Sequence, residues 1–231
     1  MNFIKKIYYE KYSKKSYAIS NVDLVIDRMF AKISKGIYID IGCNHPIKFN
    51  NTYLLHKRGW SGINIDLDSK SIKEFKRFRP YDYNIKKIVS NDEEIKDIYF
   101  YHERSAINTL SKELVDYRST KPQEIIKERS STLNKIIEES PFKNKKINLI
   151  SIDIENHEYE ALKNFNFDKY KVDLIVTECH DMKQEKLEIY NQSIEFICNS
   201  NIYNLLTKNN YKLINWVNSD LIFVRKDFKF S

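Results

Sequence analysis

Short apolar segments alternate with helical patterns along this chain, and that alternation constrains its fold more than any other feature. "GIYIDI" and "GINIDL" are short apolar strands, and Tyr53, Leu54 and Lys57 continue a helical pattern between them. In our interpretation Pro46 lies in the first turn of that helix, and Gly59 takes a left-handed conformation after its end. A strand, a helix and a second strand in this order predict a parallel pair.

The alternation continues to the C-terminal region. A helix is predicted over residues 20 to 34, and "SKSIKEFKRFR" places Ile72, Phe75 and Phe78 on one helical side. "INLISIDI" and "VDLIVTECH" are buried strands separated by the helical "NHEYEALKNF", whereas "YKLINWV" and "LIFVRK" predict a hairpin. We therefore expect an α/β fold with a mostly parallel seven-stranded sheet, a C-terminal antiparallel hairpin and helices on both faces. This arrangement is typical of class I methyltransferases, whose last strand runs against the others.

Length and composition predict one folded domain. The chain has 231 residues, 42% hydrophobic and 31% charged, which is enough to fill a core under an ordinary charged surface. No internal repeat or low-complexity linker divides it. We assign residues 1 to 35 to an N-terminal helical segment that covers the active site or makes a homodimer contact, and residues 36 to 231 to the main domain.

The charge pattern does not favour nucleic acid as a partner. The net charge of +7 arises from scattered lysines that often lie beside acids, and only "MNFIKKIYYEKYSKK" is locally basic. The N-terminal residues lack the apolar core of a signal peptide, and no run approaches the ~18 apolar residues of a membrane span. Cys43, Cys179 and Cys198 lack the spacing of a disulfide framework or a zinc site. We expect a cytoplasmic protein with reduced thiols.

The turn after the first strand favours a cofactor without a pyrophosphate. A dinucleotide needs the three glycines of GxGxxG, but here only Gly42 is present and Asn44 replaces the second. S-adenosylmethionine has no pyrophosphate, so one glycine suffices, and Asn44 tolerates a left-handed turn. Asp40 is expected to face the ammonium or sulfonium side of this cofactor. Asp66, at the end of the second strand, is expected to accept from both ribose hydroxyls.

The chain resembles the FkbM family of methyltransferases over about residues 36 to 226. The resemblance rests on "YIDIGCNHPIKFNNTYLLHKRGWSGINIDLD", "IVSNDEEIKDIYFY", "LISIDIENHEYEALKNF", "VDLIVTECH" and "YNLLTKNNYKLINWVNSDLIFVRK". It implies a class I Rossmann-like fold and transfer of a methyl group from S-adenosylmethionine to an oxygen, often on a sugar or glycan precursor. Asp40, Gly42, Asn44 and Asp66 match the cofactor motifs of the family, and Ser90 and Asn91 match its segment near adenine. The family more often has Glu in place of Asp66 and Gly in place of Asn156.

Acidic residues and a histidine follow the predicted fourth strand. Asp153 closes this strand at the carboxyl edge, where ligands of open α/β sheets bind, and Glu155, His157 and Glu158 come next. Removal of a hydroxyl proton requires a base, and Asp153, His157 and Glu155 are the catalytic candidates. We favour a functional role for Asp153, since packing does not explain an acid there. His157 is equally compatible with a general base and with a surface residue at the helix start. Glu158 is interpreted as complementing the helix dipole.

A metal site is the alternative for this edge. Glu178 and His180 end the next strand, so with Asp153 they could hold Mg²⁺ or Mn²⁺. In the competing interpretation, a hydrogen-bonded acid and histidine position the substrate without a metal.

Residues beside the cofactor turn suggest how an acceptor could be held. His45 and Lys48 flank the cofactor turn, and Lys48 could meet a phosphate of a nucleotide-linked acceptor. Asn51 or Thr52 is expected to cap the helix. We predict an O-methyltransferase acting on a carbohydrate or small nucleotide-linked acceptor in surface glycan biosynthesis. An RNA methyltransferase and a non-catalytic nucleotide-binding module are the alternatives.

Overall fold

The computed structural model describes residues 5, 8, 12–179, 181 and 193–229. Its main feature is a seven-stranded sheet with the order β3-β2-β1-β7-β8-β10-β9. The strands of this sheet are β1 (Ile37–Ile41), β2 (Ser61–Asp66), β3 (Tyr83–Lys86), β7 (Leu149–Ile152), β8 (Leu174–Glu178), β9 (Tyr211–Val217) and β10 (Asp220–Arg225). Strands β3, β2, β1, β7 and β8 are parallel, and β10 pairs antiparallel with both β8 and β9. The predicted α/β fold with a C-terminal antiparallel hairpin is confirmed.

Helices cover both faces of the sheet, as the sequence predicted. The described helices are α1 (Val22–Met29), α2 (Tyr53–Lys57), α3 (Ser69–Phe78), α4 (Lys112–Tyr117), α5 (Leu133–Glu139), α6 (Glu158–Leu162), α7 (Phe167–Tyr170), α8 (Ile194–Asn199) and α9 (Asn201–Lys208). Successive strand residues point to opposite faces. Tyr38 and Leu149 therefore pack in the apolar cluster with α1, whereas Ile39 and Ile150 pack in the cluster with α5 and α9.

A small second sheet is inserted between β3 and β7, and the sequence patterns did not predict it. It consists of β4 (Ile88–Val89), β6 (Glu124–Ser131) and β5 (Ile95–Phe100), with β6 in the middle. Along much of β5 and β6, exposed residues alternate with partly buried ones. Such a half-exposed ribbon lacks the continuous apolar runs that made the strands of the main sheet recognisable. The chain between β5 and α4 reaches the carboxyl edge of the main sheet.

Two helix predictions need correction. Pro46 does not lie in the first turn of α2, which begins only at Tyr53. Its carbonyl instead accepts a hydrogen bond from the buried Arg79, so this stretch is held as a loop. On α3, Ile72 and Phe75 are buried, but Phe78, predicted to lie on the same helical side, is 49% exposed at the end of the helix. The prediction of a left-handed Gly59 after α2 is confirmed by its φ of 88°.

The cysteines, the apolar character of the helices and the extent of α1 can also be compared with the sequence predictions. Cys43, Cys179 and Cys198 are all free thiols. None of the described helices combines the length and the apolar character that crossing a bilayer requires. The helix predicted over residues 20 to 34 is present as the shorter α1, whose Val22 and Ile26 are completely buried.

Candidate active site

The carboxyl ends of β2, β1, β7 and β8 open into a cavity of about 210 Å³. Ile65, Ile41 and Val89 give it an apolar floor, and residues between positions 104 and 110 of the insert form part of its wall. Parallel strands end together at this edge, which is where ligands of open α/β sheets bind. We take this space, the cofactor cavity, as the centre of the candidate active site.

Gly42 makes the turn after β1 as the sequence predicted. Its φ is 76°, and its backbone N–H donates to the Ile65 carbonyl at 2.9 Å. A Cβ at this position would lie 1.8 Å from the carbonyl oxygen of Asp153, so no residue with a side chain fits. Asn44 has a φ of 48°, a left-handed conformation that asparagine tolerates. One glycine is therefore sufficient for the close approach of this turn to β7.

Asp66 closes β2 at the side of the cofactor cavity. One carboxylate oxygen accepts the Asn44 backbone N–H at 2.8 Å, and the other accepts the Asp68 backbone N–H at 2.8 Å. Burial raises the pKa of Asp66 to about 6, against the lowering effect of these two bonds. The carboxylate is thus ionised at neutral pH and rigidly oriented. Its predicted bond to a ribose remains a prediction.

Asp40 lies deeper, beneath the segment that follows the turn. It is only 4% exposed, and one of its carboxylate oxygens accepts from Asn50 Nδ2 at 2.9 Å and Thr52 Oγ1 at 2.8 Å. Burial raises its pKa, and the nearby Arg79 guanidinium opposes that shift. Asp40 therefore ties the loop before α2 to β1, whereas its predicted attraction to the cofactor's cationic end is untested.

Ser90 and Asn91 follow Val89, which lines the cofactor cavity. Ser90 is buried, and its hydroxyl lies 3.1 Å from the Asn91 side-chain amide and 3.1 Å from His157 Nε2. Their predicted role near adenine stays a prediction. His157, the residue before α6, has its pKa lowered to about 4, chiefly by burial, so the imidazole is neutral at pH 7. The sequence did not show this contact between Ser90 and His157.

Three carboxylates meet beside the turn. Ligand-capable oxygens of Asp153, Glu155 and Glu178 all lie within 4.8 Å of one another. Asp153 is exposed at the mouth of the cavity, yet the protein packed around its carboxylate, and next the negative charges of Glu178 and Glu155, raise its pKa above the usual value. Glu155 also forms an ion pair with Arg118 of the insert. The structure thus brings together the predicted Asp153 and Glu178, and it adds Glu155 to them.

His180 lies outside the described residues, so its predicted place as a metal ligand is not addressed. Carboxylate oxygens are donors that Mg²⁺ and Mn²⁺ accept, and the three acids on this edge supply them without a histidine.

Glu158 differs from the prediction that it complements the dipole of α6. It is in the first turn of α6, but it is 6% exposed and accepts the Ile154 backbone N–H at 2.8 Å. Burial, and next the charge of Glu178, raise its pKa to about 8. The side chain is therefore mostly protonated at neutral pH and carries little charge toward the helix.

Asp220 is an acid at this edge that sequence reasoning missed. It begins β10 and pairs with Glu178, the last residue of β8. It lines a neighbouring cavity of about 70 Å³ together with Asp153. Burial, and then Glu178, raise its pKa to about 7. The signal was available, because an antiparallel strand starts at the edge where its parallel neighbours end.

The flanking polar residues have different roles from those expected. Thr52 occupies the N-cap position of α2 without a capping bond, since its hydroxyl donates to Asp40. Asn51 Nδ2 donates to Ser151 Oγ at 3.1 Å and so links the loop to β7. Lys48 is exposed, and its backbone N–H donates to His45 Nδ1 at 3.0 Å.

Comparison with known protein families identifies the domain. The family model described as "Methyltransferase FkbM domain" matches residues 40–213, a range that begins at Asp40 in β1 and ends in β9. The chain belongs to the FkbM methyltransferase family. It is therefore a methyltransferase of the class I fold. No curated protein matches the chain.

Asn156 departs from the glycine that the FkbM resemblance implies for the turn between β7 and α6. Where the family more often has glycine, this chain has Asn156, whose φ is 70°. The preceding Glu155 has a φ of 58°, so two successive residues are left-handed between β7 and α6. Asparagine tolerates this conformation better than most residues. This left-handed pair makes the turn that places Glu155 beside Asp153.

Proposed function

We propose that this protein is an S-adenosylmethionine-dependent O-methyltransferase that acts on a hydroxyl of a carbohydrate or a small nucleotide-linked acceptor, in surface glycan biosynthesis. The observation that carries the proposal is the position of Asp153. It lines both the cofactor cavity, which we assign to the methyl donor, and the neighbouring 70 Å³ cavity, which we assign to the acceptor. Family membership supports the donor, and the polar acidic edge supports a hydroxylated acceptor.

The cofactor cavity fits S-adenosylmethionine in its chemistry. Gly42 allows a close backbone approach that a Cβ would fill, and Asp66 presents an oriented carboxylate beside it. Ile65 and Val89 provide an apolar surface of the kind that an adenine requires. When bound, S-adenosylmethionine supplies an electrophilic methyl group.

Asp153 is the proposed general base. The Asp153 side chain lies beside the cofactor turn, and because its pKa is raised, its ionised form is a stronger base toward a hydroxyl proton than an ordinary aspartate. Glu178 and Asp220 are placed to accept hydrogen bonds from other hydroxyls of the acceptor, since they line the same small cavity. His157 is neutral, and its Nε2 lies 3.1 Å from the Ser90 hydroxyl. We propose that it holds the end of β4 in position.

Thermal unfolding with cofactor analogues tests the donor. S-adenosylhomocysteine at a hundred times its dissociation constant should stabilise the protein by about 2.7 kcal/mol. For a domain of this size that corresponds to a rise in melting temperature of roughly 5–10 °C. The same measurement with NAD should give no rise. A rise with NAD alone would mean that the single-glycine turn accepts a dinucleotide.

Replacement of the base tests the reaction. Asp153→Asn should lower transfer of a labelled methyl group to a panel of glycosides and sugar nucleotides by about 10²–10⁴-fold. Binding of S-adenosylhomocysteine, measured by calorimetry, should change little. Asp116→Asn is the matched control, since Asp116 is exposed and pairs with Lys112 on α4. Equal activity of Asp153→Asn and wild type would remove Asp153 from the mechanism.

A divalent cation held by Asp153, Glu155 and Glu178 is the alternative arrangement of the same edge. The donor set fits Mg²⁺ or Mn²⁺, because all three residues offer carboxylate oxygens. Exhaustive EDTA treatment separates the two arrangements. Loss of activity that Mg²⁺ or Mn²⁺ restores supports the cation, whereas unchanged activity supports the metal-free base.

A further inference from the structure

The 70 Å³ cavity has a polar floor and an apolar rim. Asn51, Ser151 and Asp220 contribute polar side chains to it. Phe49 and Ile19 line both this cavity and the cofactor cavity, yet they are 57% and 68% exposed. Phe49 and Ile19 therefore present apolar surface together at the opening of a polar site. They suggest contact with a ligand that has both polar and apolar parts.

Phe49 is held in an unfavourable backbone conformation. Its φ is 53°, a left-handed value that is strained for a bulky residue. The neighbouring chain fixes it, because Arg79 donates to the Pro46 carbonyl at 3.0 Å and to Asn50 Oδ1 at 2.7 Å. Strain of this kind persists where the surrounding structure determines it and is concentrated at ligand sites. The ring is exposed at the rim, where the Lys48 ammonium also lies 4.5 Å from its centroid.

We propose that Phe49 is a specificity-determining residue whose ring stacks on a sugar ring of the acceptor. A pyranose has a face of polarised C–H groups and an edge of hydroxyls. The negative face of an aromatic ring attracts such C–H groups. Asp153, Glu178 and Asp220 on the cavity floor accept from the hydroxyl edge. The inference rests on the proposed function and names the part of the acceptor that this surface recognises.

The test is saturation-transfer NMR on the protein saturated with S-adenosylhomocysteine. The probes are methyl α-mannopyranoside and methyl α-rhamnopyranoside, with mannitol as an acyclic polyol that lacks a ring face. Phe49→Ala should weaken pyranoside binding by about threefold to tenfold, since it removes the ring face that the sugar C–H groups contact. Phe49→Trp should retain it, and mannitol should bind weakly to all variants. Phe78→Ala is the matched control, because Phe78 is similarly exposed on α3.

The outcomes separate the inference from the proposed function. Pyranoside binding that falls in Phe49→Ala but not in Phe78→Ala supports stacking. Equal pyranoside binding by wild type and Phe49→Ala overturns the inference and leaves the carbohydrate acceptor in place. If Phe49→Ala instead weakens S-adenosylhomocysteine binding, measured by calorimetry, and leaves pyranoside binding unchanged, Phe49 covers the cofactor and the inference is wrong. Failure of wild type to bind either pyranoside overturns both the inference and the proposed carbohydrate acceptor.

Discussion

Glycine is needed at positions 42 and 59 for different reasons. Gly42 and Gly59 both have left-handed φ values, 76° and 88°. A Cβ at Gly42 would collide with the Asp153 carbonyl, whereas a Cβ at Gly59 would have no atom within 4 Å. At position 42 glycine is therefore required both for its left-handed φ and because a Cβ has no room. At position 59 it is required for its left-handed φ alone.

Gly42→Ala should destabilise the protein by about 3 kcal/mol or more, because strain and displacement of β7 add. It should also abolish stabilisation by S-adenosylhomocysteine. Gly59→Ala should cost roughly 1–2 kcal/mol and leave that stabilisation intact. Urea unfolding with and without the ligand measures both effects. Similar losses for the two variants would show that the approach of Gly42 to Asp153 is not restrictive.

At the scale of elements, Arg79 joins the end of α3 to the loop before α2. Its side chain is fully buried. It donates to the Pro46 carbonyl, to Asn50 Oδ1 at 2.7 Å and to Thr52 Oγ1 at 2.8 Å. Asn50 and Thr52 in turn donate to Asp40 on β1. One buried cation thus fixes a helix, a loop and a strand around the cofactor turn.

Arg79→Met should lower the free energy of unfolding by about 3–5 kcal/mol, since it removes the charge and leaves buried acceptors without a donor. It should also weaken S-adenosylhomocysteine binding, because the loop loses its attachment. Arg77→Met is the control, as Arg77 is exposed on the same helix. Chemical denaturation and calorimetry report the two effects. A variant as stable as wild type would show that the methionine side chain packs well in place of the network.

At the scale of the whole molecule, a buried acid beside the carboxylates of the sheet edge makes stability depend on pH. Glu158 has its pKa raised from 4.5 to about 8, mainly by burial. The folded state therefore binds this proton more tightly than the unfolded state does. The contribution of Glu158 to the free energy of unfolding is greatest below pH ~4.5 and falls as pH rises toward 8.

Glu158→Gln should raise the melting temperature at pH 8 by several degrees and change it little at pH 5. The amide keeps an oxygen that can accept the Ile154 N–H, and it has no charge to bury. Glu160→Gln, which alters a partly exposed acid paired with Lys163, should leave the pH dependence unchanged. Calorimetric scans across this pH range measure the difference. An equal shift of Glu158→Gln at both pH values would contradict a titration of Glu158.

The sequence by itself determined the sheet, the family and the position of the cofactor turn. Periodicity reports which residues are buried, and Gly42 with the strand-ending acids Asp66 and Asp153 is read directly from the order of the chain. Only the tertiary structure decided which side chains meet. Asp220 joins Glu178 through antiparallel pairing, and Arg79 reaches a loop far from it in sequence. Local patterns specify elements because they act over a few residues, whereas contacts between distant residues and the pKa values they produce depend on packing.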